Sequence, residues 1–271
     1  MVETRLTRFG LRIASAFTLA FLYLPLFVIG LYAFNEKRVQ AWPISGFTLD
    51  WFGKAFRNQG VREALVTSLI VALLATVVAL VLGVCASLAV QRYRFFGRET
   101  ISLLVILPIA LPGIVTGMAL NSAFREIVHV KLGIFTIVVG HATFCIVVIY
   151  NNALARLRRV NRSFEEASMD LGADTWQTFR FVTLPGIRTA LLAGALLAFA
   201  LSFDEIIVTT FTAGAGVQTL PIWIFANLSR PNQLPIVNVV ALMVILLSAI
   251  PVYFAQRLSR ESAGIATGGG R

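Results

Sequence analysis

ALVTSLIVALLATVVALVLGVCASLAV, residues 64–90, runs for 27 residues without an Asp, Glu, Lys, Arg or Pro. A hydrocarbon core about 30 Å thick takes roughly 20 residues of helix to cross, so this stretch reads as a membrane span. Moving outward in both directions, the pattern recurs at about Leu11–Phe34, Ile101–Phe124, Leu132–Ala155, Ala190–Thr212 and Ile236–Gln256. Six spans, no strand pattern and no linker predict one all-α polytopic membrane domain over residues 1–271. The first run is too long for the core of a signal peptide and no small-residue cleavage site follows it, so an uncleaved first span is expected.

Composition excludes a soluble domain: 58% of the 271 residues are hydrophobic and 13% charged, against about 45–50% apolar in a typical soluble domain. The net charge of +10 is no nucleic-acid footprint, because the basic residues sit at the ends of apolar runs and form no continuous stripe. Cys85 and Cys145 both fall inside apolar runs, which predicts small buried hydrophobes and no disulfide framework. Basic residues near span ends resist translocation. With the N-terminus inside, fifteen of the 23 Lys and Arg residues face the cytoplasm, among them Arg5, Arg92, Arg156, Arg162, Arg188 and Arg271. The other side keeps Lys37, Arg38, Lys54, Arg57, Arg62, Arg125, Lys131 and Arg230. Both termini are therefore expected in the cytoplasm.

That orientation puts Arg156–Arg188, a polar island between the fourth and fifth spans, on the cytoplasmic side. Ser163 and Glu166 have capping-box spacing, which predicts a helix starting at about Phe164. Gly172 is placed to end it in a left-handed turn. Asp174 and Gln177 repeat the capping spacing, and a second short helix over about Thr175–Thr183 is expected to end before Pro185. Met169, Leu171, Trp176, Phe179, Phe181 and Val182 are more apolar than a solvated loop needs. They suit an amphipathic pair lying on lipid headgroups or a low knob offered to a soluble partner.

The spacing Glu166-Ala167-Ser168-x3-Gly172-x9-Val182-x-Leu184-Pro185 resembles the EAA loop of the membrane permease subunits of binding-protein-dependent ABC importers. It departs from that pattern at Ser168, for alanine, and at Val182, for isoleucine. The resemblance implies a type I ABC importer fold in which residues 156–188 are the coupling loop. Glu166, Ala167, Ser168, Leu171, Gly172 and Ala173 would dock on a partner ATPase. It further implies two ATPase subunits that bind ATP and Mg, with no cofactor on this chain itself. A homologous permease subunit would complete a heterodimer, an extracytoplasmic substrate-binding protein would deliver the solute, and the site of action would be the bacterial cytoplasmic (inner) membrane. Leu201-Ser202-Phe203-Asp204-Glu205, Thr219-Leu220-Pro221-Ile222 and Asn238 narrow the likeness. They look like the permeases of spermidine/putrescine importers, specifically the second of the two homologous subunits, and so imply a polyamine substrate. Other small solutes, such as phosphonates or opines, are the alternatives within the family. A secondary transporter working without an ATPase is the alternative outside it, although the inverted repeat or charged relay it would call for is absent from the sequence.

Two further places bear on transport. An ionisable side chain inside a span costs about 2.5–3.5 kcal/mol and usually faces a wet cavity or a partner. Asp204 lies about 21 Å along the fifth span, counted from Ala190 at about 1.5 Å per residue. One of Asp204 and Glu205 lines the path of a cationic substrate, or the pair caps a helix end and bridges to Arg230 or Arg125. In the third span, Pro108, Pro112, Gly113 and Gly117 free backbone carbonyls. Such freeing is tolerated where a helix borders a cavity or is packed in protein, so the residues mark a broken helix at the path or a packing kink.

The remaining candidates are weaker. His129 and His141 have no carboxylate or cysteine at metal-ligand spacing, which favours surface and packing roles. Gly53-Lys54 lacks the rest of a phosphate-binding loop, and no nucleophile–base setting suggests an enzyme. The loop Asn35–Glu63, with Trp42, Phe47, Trp51, Phe52 and Phe56, is an aromatic interface belt or, by the resemblance, a rim for the binding protein. Gly214–Pro235 is expected to hold a short re-entrant or surface helix, and the Gly-rich tail Gly264–Arg271 to be unstructured.

Overall fold

A computed structural model describes residues 5–267; Arg271 and the last part of the expected tail lie outside the described residues. Every regular element among them is a helix: α1 (Arg5–Ala33), α2 (Asp50–Arg57), α3 (Gln59–Arg92), α4 (Arg98–Ala110), α5 (Gly113–Ser122), α6 (Ile134–Leu157), α7 (Ser163–Asp170), α8 (Thr175–Thr178), α9 (Leu184–Phe203), α10 (Ile207–Thr212), α11 (Leu220–Asn227) and α12 (Leu234–Thr267). Helical hydrogen bonding is what lipid demands of a spanning backbone, since no water is available there to satisfy it. Four helices are long and apolar enough to cross by themselves, Thr7–Ala33, Gln59–Arg92, Ile134–Leu157 and Thr175–Phe203.

Three of the six expected spans differ in form. The third is two helices bent by 106°, parted at Leu111-Pro112, where extended backbone (ψ 143° and 132°) is what a residue before proline and a proline itself prefer. The fifth ends as α9 at Phe203 and resumes as α10. The sixth is carried by α12, which continues past the expected end to Thr267 and takes Gly264–Thr267, expected to be unstructured, into the helix.

The chain divides into two compact units. In the one formed by the residues up to Arg62 together with Trp223–Leu247, the loop after α1 is ordered by Trp51, which is buried and donates from Nε1 to the carbonyl of Asn35 at 2.9 Å. Lys54 lies 4.1 Å from the Trp51 ring, whereas Trp42, Phe47 and Phe56 are exposed. The expected short helix beyond Gly214 is α11.

In the other unit, Glu63–Ile222 with the end of α12, α6 is the central helix. Its Cys145 and Ile149 meet Ala79 of α3 and Ala198 of α9, and its Ala153 and Leu157 meet Ile187 and Leu191 of α9. Small residues set the spacing: a side chain at Gly83 would stand 2.9 Å from Ile149, the close approach that holds helices together where the hydrophobic effect is weak. Cys145 is buried as expected, but Cys85 is exposed, because it points away from the α6 side of α3.

Candidate functional site

The polar island folds as helix, tight turn, helix, with two changes from the expected wiring. The box between Ser163 and Glu166 does not form. The Asn161 side chain accepts the Ser163 amide at 3.1 Å, and α7 begins one residue earlier than expected. Glu166 turns outward to Arg162 at 3.2 Å, an exposed i,i+4 pair of the kind that contributes a few tenths of a kcal/mol. The second box does form, Asp174 Oδ1 accepting from the Gln177 amide at 2.8 Å and Gln177 Oε1 from the Asp174 amide at 2.9 Å. Between them Gly172 sits at φ 91°, where a Cβ would be strained. The turn closes with Gly172 N–H to Met169 O at 2.9 Å and Ala173 N–H to Ser168 O at 3.1 Å.

The second helix does not stop before Pro185. A π-turn over Phe179–Thr183, in which the Leu184 amide reaches the Phe179 carbonyl, leads straight into α9. The wider turn lets Pro185 enter in the first turn of α9, where its missing N–H costs nothing. The second helix of the platform is therefore continuous with the fifth span.

Leu171, 90% exposed, is the tip of this platform. Ala167 and Gly172 are exposed beside it, Ser168 and Ala173 are half-buried, and Ser168 Oγ lies 3.2 Å from Thr178 Oγ1. Phe164, Met169, Trp176 and Phe181 are exposed around it. The residue that anchors the tip escaped sequence reading. Glu165, buried, accepts from Arg92 at the end of α3 and from the Thr183 hydroxyl at 2.7 Å through the same oxygen. Adjacent residues on a helix point about 100° apart, so of two successive glutamates on an amphipathic helix one faces inward. That signal was available at Glu165-Glu166.

The two breaks in the spans lie together. Gly113, first residue of α5, faces Ile207, first residue of α10, with 3.5 Å from its Cβ position to that side chain. Farther along, Gly117 accommodates Phe211 and the Asn121 amide donates to the Phe211 carbonyl. Pro112 is the exposed residue before α5, while Pro108 lies inside α4. Asp204 closes α9 and is exposed; Glu205, half-buried, accepts the Val208 amide at 2.8 Å and so caps α10. His141, fully buried, bridges the break, with Nδ1 2.7 Å from Ser202 Oγ and Nε2 2.8 Å from Thr209 Oγ1. His129 instead lies exposed at φ 53° with Nδ1 3.1 Å from the Arg125 carbonyl.

The platform and the paired breaks lie within a stretch that matches a known family. Residues 79–262 match the family described as binding-protein-dependent transport system inner membrane component. The putrescine transport system permease protein PotI of Escherichia coli is 34% identical over 83% of this chain and 82% of its own length. The spermidine/putrescine transport system permease protein PotC of Haemophilus influenzae is 31% identical over 95% and 99%. Among solved structures, a bacterial alginate ABC transporter in complex with an alginate-bound periplasmic protein superposes at TM-score 0.72, with 16% identity over 94% of each chain. The chain belongs to the binding-protein-dependent transport system inner membrane component family and is a multi-pass permease component of an ABC importer.

Proposed function

We propose that the chain forms half of the translocation pathway for a polyamine and couples it to ATP hydrolysis on partner subunits. In this reading a homologous permease subunit supplies the other half and two ATPase subunits carry the ATP and Mg. An extracytoplasmic binding protein delivers putrescine or spermidine. The membrane is the bacterial inner membrane, with both termini in the cytoplasm. The observation that carries the substrate is the near full-length likeness to putrescine and spermidine permeases. Asp204 supports it: an exposed carboxylate beside two helix breaks is too costly to leave against lipid and belongs at a wet, cation-attracting surface. Coupling is supported by Leu171, an apolar tip at the end of a platform continuous with α9. The interconversion of inward and outward access would then follow rigid-body movement of that piece.

The test is uptake into proteoliposomes by the chain purified with its partner subunits and cognate receptor. Putrescine or spermidine should accumulate only with receptor present and ATP on the ATPase side. Preferential uptake of a phosphonate or an opine would move the substrate to another solute class, and uptake by the chain alone under an ion gradient would overturn the ATP-driven reading.

A further inference from the structure

Glu165 is tied at once to the last residue of one span and to the threshold of another, by partners 73 and 18 residues away. Arg92 ends α3 and Thr183 ends the π-turn that feeds α9. We propose that Arg92, Glu165 and Thr183 form a strut through which a displacement of α7 moves α3 and α9 together, making them positioning residues for coupled transport. The proposal rests on the reading of the platform as the ATPase-facing coupling element.

Three observations favour a mechanical role over simple stabilisation. First, the ends of α3 and the platform do not meet as a filled apolar interface. An open cleft of about 600 Å³ is lined by Val84 and Leu88 on one side and Met169, Trp176 and Phe179 on the other, with Arg92 and Glu165 in its wall. Side chains facing each other across an open cleft transmit little load, whereas an ion pair resists both approach and separation. Second, the pair is poorly arranged for stability. Both donors share one carboxylate oxygen, and Arg92 Nε is buried without a partner. The side chains are only 13% and 10% exposed, and a buried pair with incomplete hydrogen bonding is often no more stable than apolar residues of similar volume. Fixing geometry is what the pair does better than adding stability. Third, Thr183 closes a π-turn, a local widening frequent at functional positions in helices, which sets its hydroxyl on the Glu165 carboxylate.

The experiment uses the complete importer in proteoliposomes and reads solute imported per ATP hydrolysed, together with receptor-stimulated turnover. Glu165→Gln keeps shape and an acceptor oxygen but removes the charge; it should lower import per ATP about tenfold, within the range of coupling free energies between sites. Arg92→Gln should do the same, and the double variant should be no worse than either single one, since the three variants break one connection. Arg92→Lys, which restores a charge, should recover part of the ratio. Thr183→Val removes one arm without unpairing a charge and gives a smaller loss; it reads the strut even if the charge variants fail to assemble. Import and turnover falling in the same proportion, with import per ATP unchanged in Glu165→Gln and Thr183→Val alike, would overturn the strut and leave a structural pair. Leu171→Asp separates the two levels. If it leaves stimulated turnover intact, the platform does not couple and the strut falls with it. If it abolishes stimulation while Glu165→Gln keeps the wild-type ratio, the strut alone falls.

Discussion

The helix–turn–helix platform and the break in the fifth span solve one problem with different chemistry. Each presents an exposed group, Leu171 or Asp204, beside an interruption in helix, and each fixes the interruption with a buried polar side chain bonded to two other elements. On the platform that side chain is Glu165, paired with a cation. At the break it is His141, held between two hydroxyls. Thr209 gives its only hydroxyl proton to the Glu205 carbonyl at 2.8 Å, so Nε2 donates to Thr209 and, in the neutral ring, Nδ1 accepts from Ser202. Desolvating an ion costs several kcal/mol; at Glu165 the Arg92 cation offsets that cost, whereas at His141 hydroxyl groups do the fixing through hydrogen bonds. The proposed coupling role would thus put an ion pair behind the platform's tip, and the proposed substrate path would put neutral hydrogen bonds behind the acid at the break.

Gly172→Asp is the largest way to break that contrast. A side chain at φ 91° costs about 1–2 kcal/mol, but nothing stands within 4 Å of the Cβ position, so the protein should still insert at near wild-type levels. The new carboxylate sits next to the apolar tip, and receptor-stimulated ATP turnover should fall to the unstimulated rate. Quantitative membrane blotting with an ATPase assay reads both, and undiminished stimulation would remove the platform from coupling.

His141→Leu comes next and attacks the other side. It leaves the Ser202 hydroxyl without its partner in a buried site and frees the Thr209 hydroxyl from the ring. An unsatisfied buried hydroxyl costs about 1–3 kcal/mol. A shift of about 5 °C in thermal unfolding in detergent is expected, at about 2–4 °C per kcal/mol for a chain of this order. His141→Gln, which offers a donor and an acceptor, should recover part of the shift. An unshifted transition in the leucine variant would mean that the break is held by packing alone.

Apolar run length marked the long helices because lipid makes it the dominant signal, although the third and fifth spans are interrupted, and Pro112 announced the third-span break because a proline constrains its own backbone and its neighbour's. Asp174-Gln177 capped as spelled, since a local box closes within one turn. Ser163-Glu166 carried the same spelling and lost to Asn161 and Arg162, because an exposed glutamate chooses among near-equal partners. The connections of Arg92 to Glu165 and of His141 to Ser202 and Thr209 were illegible: they span 61 to 73 residues, and nothing local selects one buried partner over another.

The smallest expected effect sharpens the comparison within the break itself, between two neighbouring acids of the fifth span. Asp204 is exposed and its backbone amide donates to the Ala200 carbonyl; Glu205 spends its side chain on the Val208 amide. If Asp204 attracts the cation, Asp204→Asn should lower polyamine uptake about tenfold, equivalent to about 1.4 kcal/mol, with stimulated turnover retained. Glu205→Gln keeps an oxygen in place to accept the Val208 amide and gives up only the charge at the start of α10, worth about 0.3–1 kcal/mol. Its uptake should stay within about twofold of wild type, and Glu205→Ala, which loses the cap, should cost about 1 kcal/mol of stability ahead of any loss of selectivity. Uptake assays on the three variants decide the matter. Equal losses in Asp204→Asn and Glu205→Gln would place both charges on the path and make the Val208 contact incidental, whereas a loss confined to Asp204→Asn assigns attraction to one acid and architecture to the other.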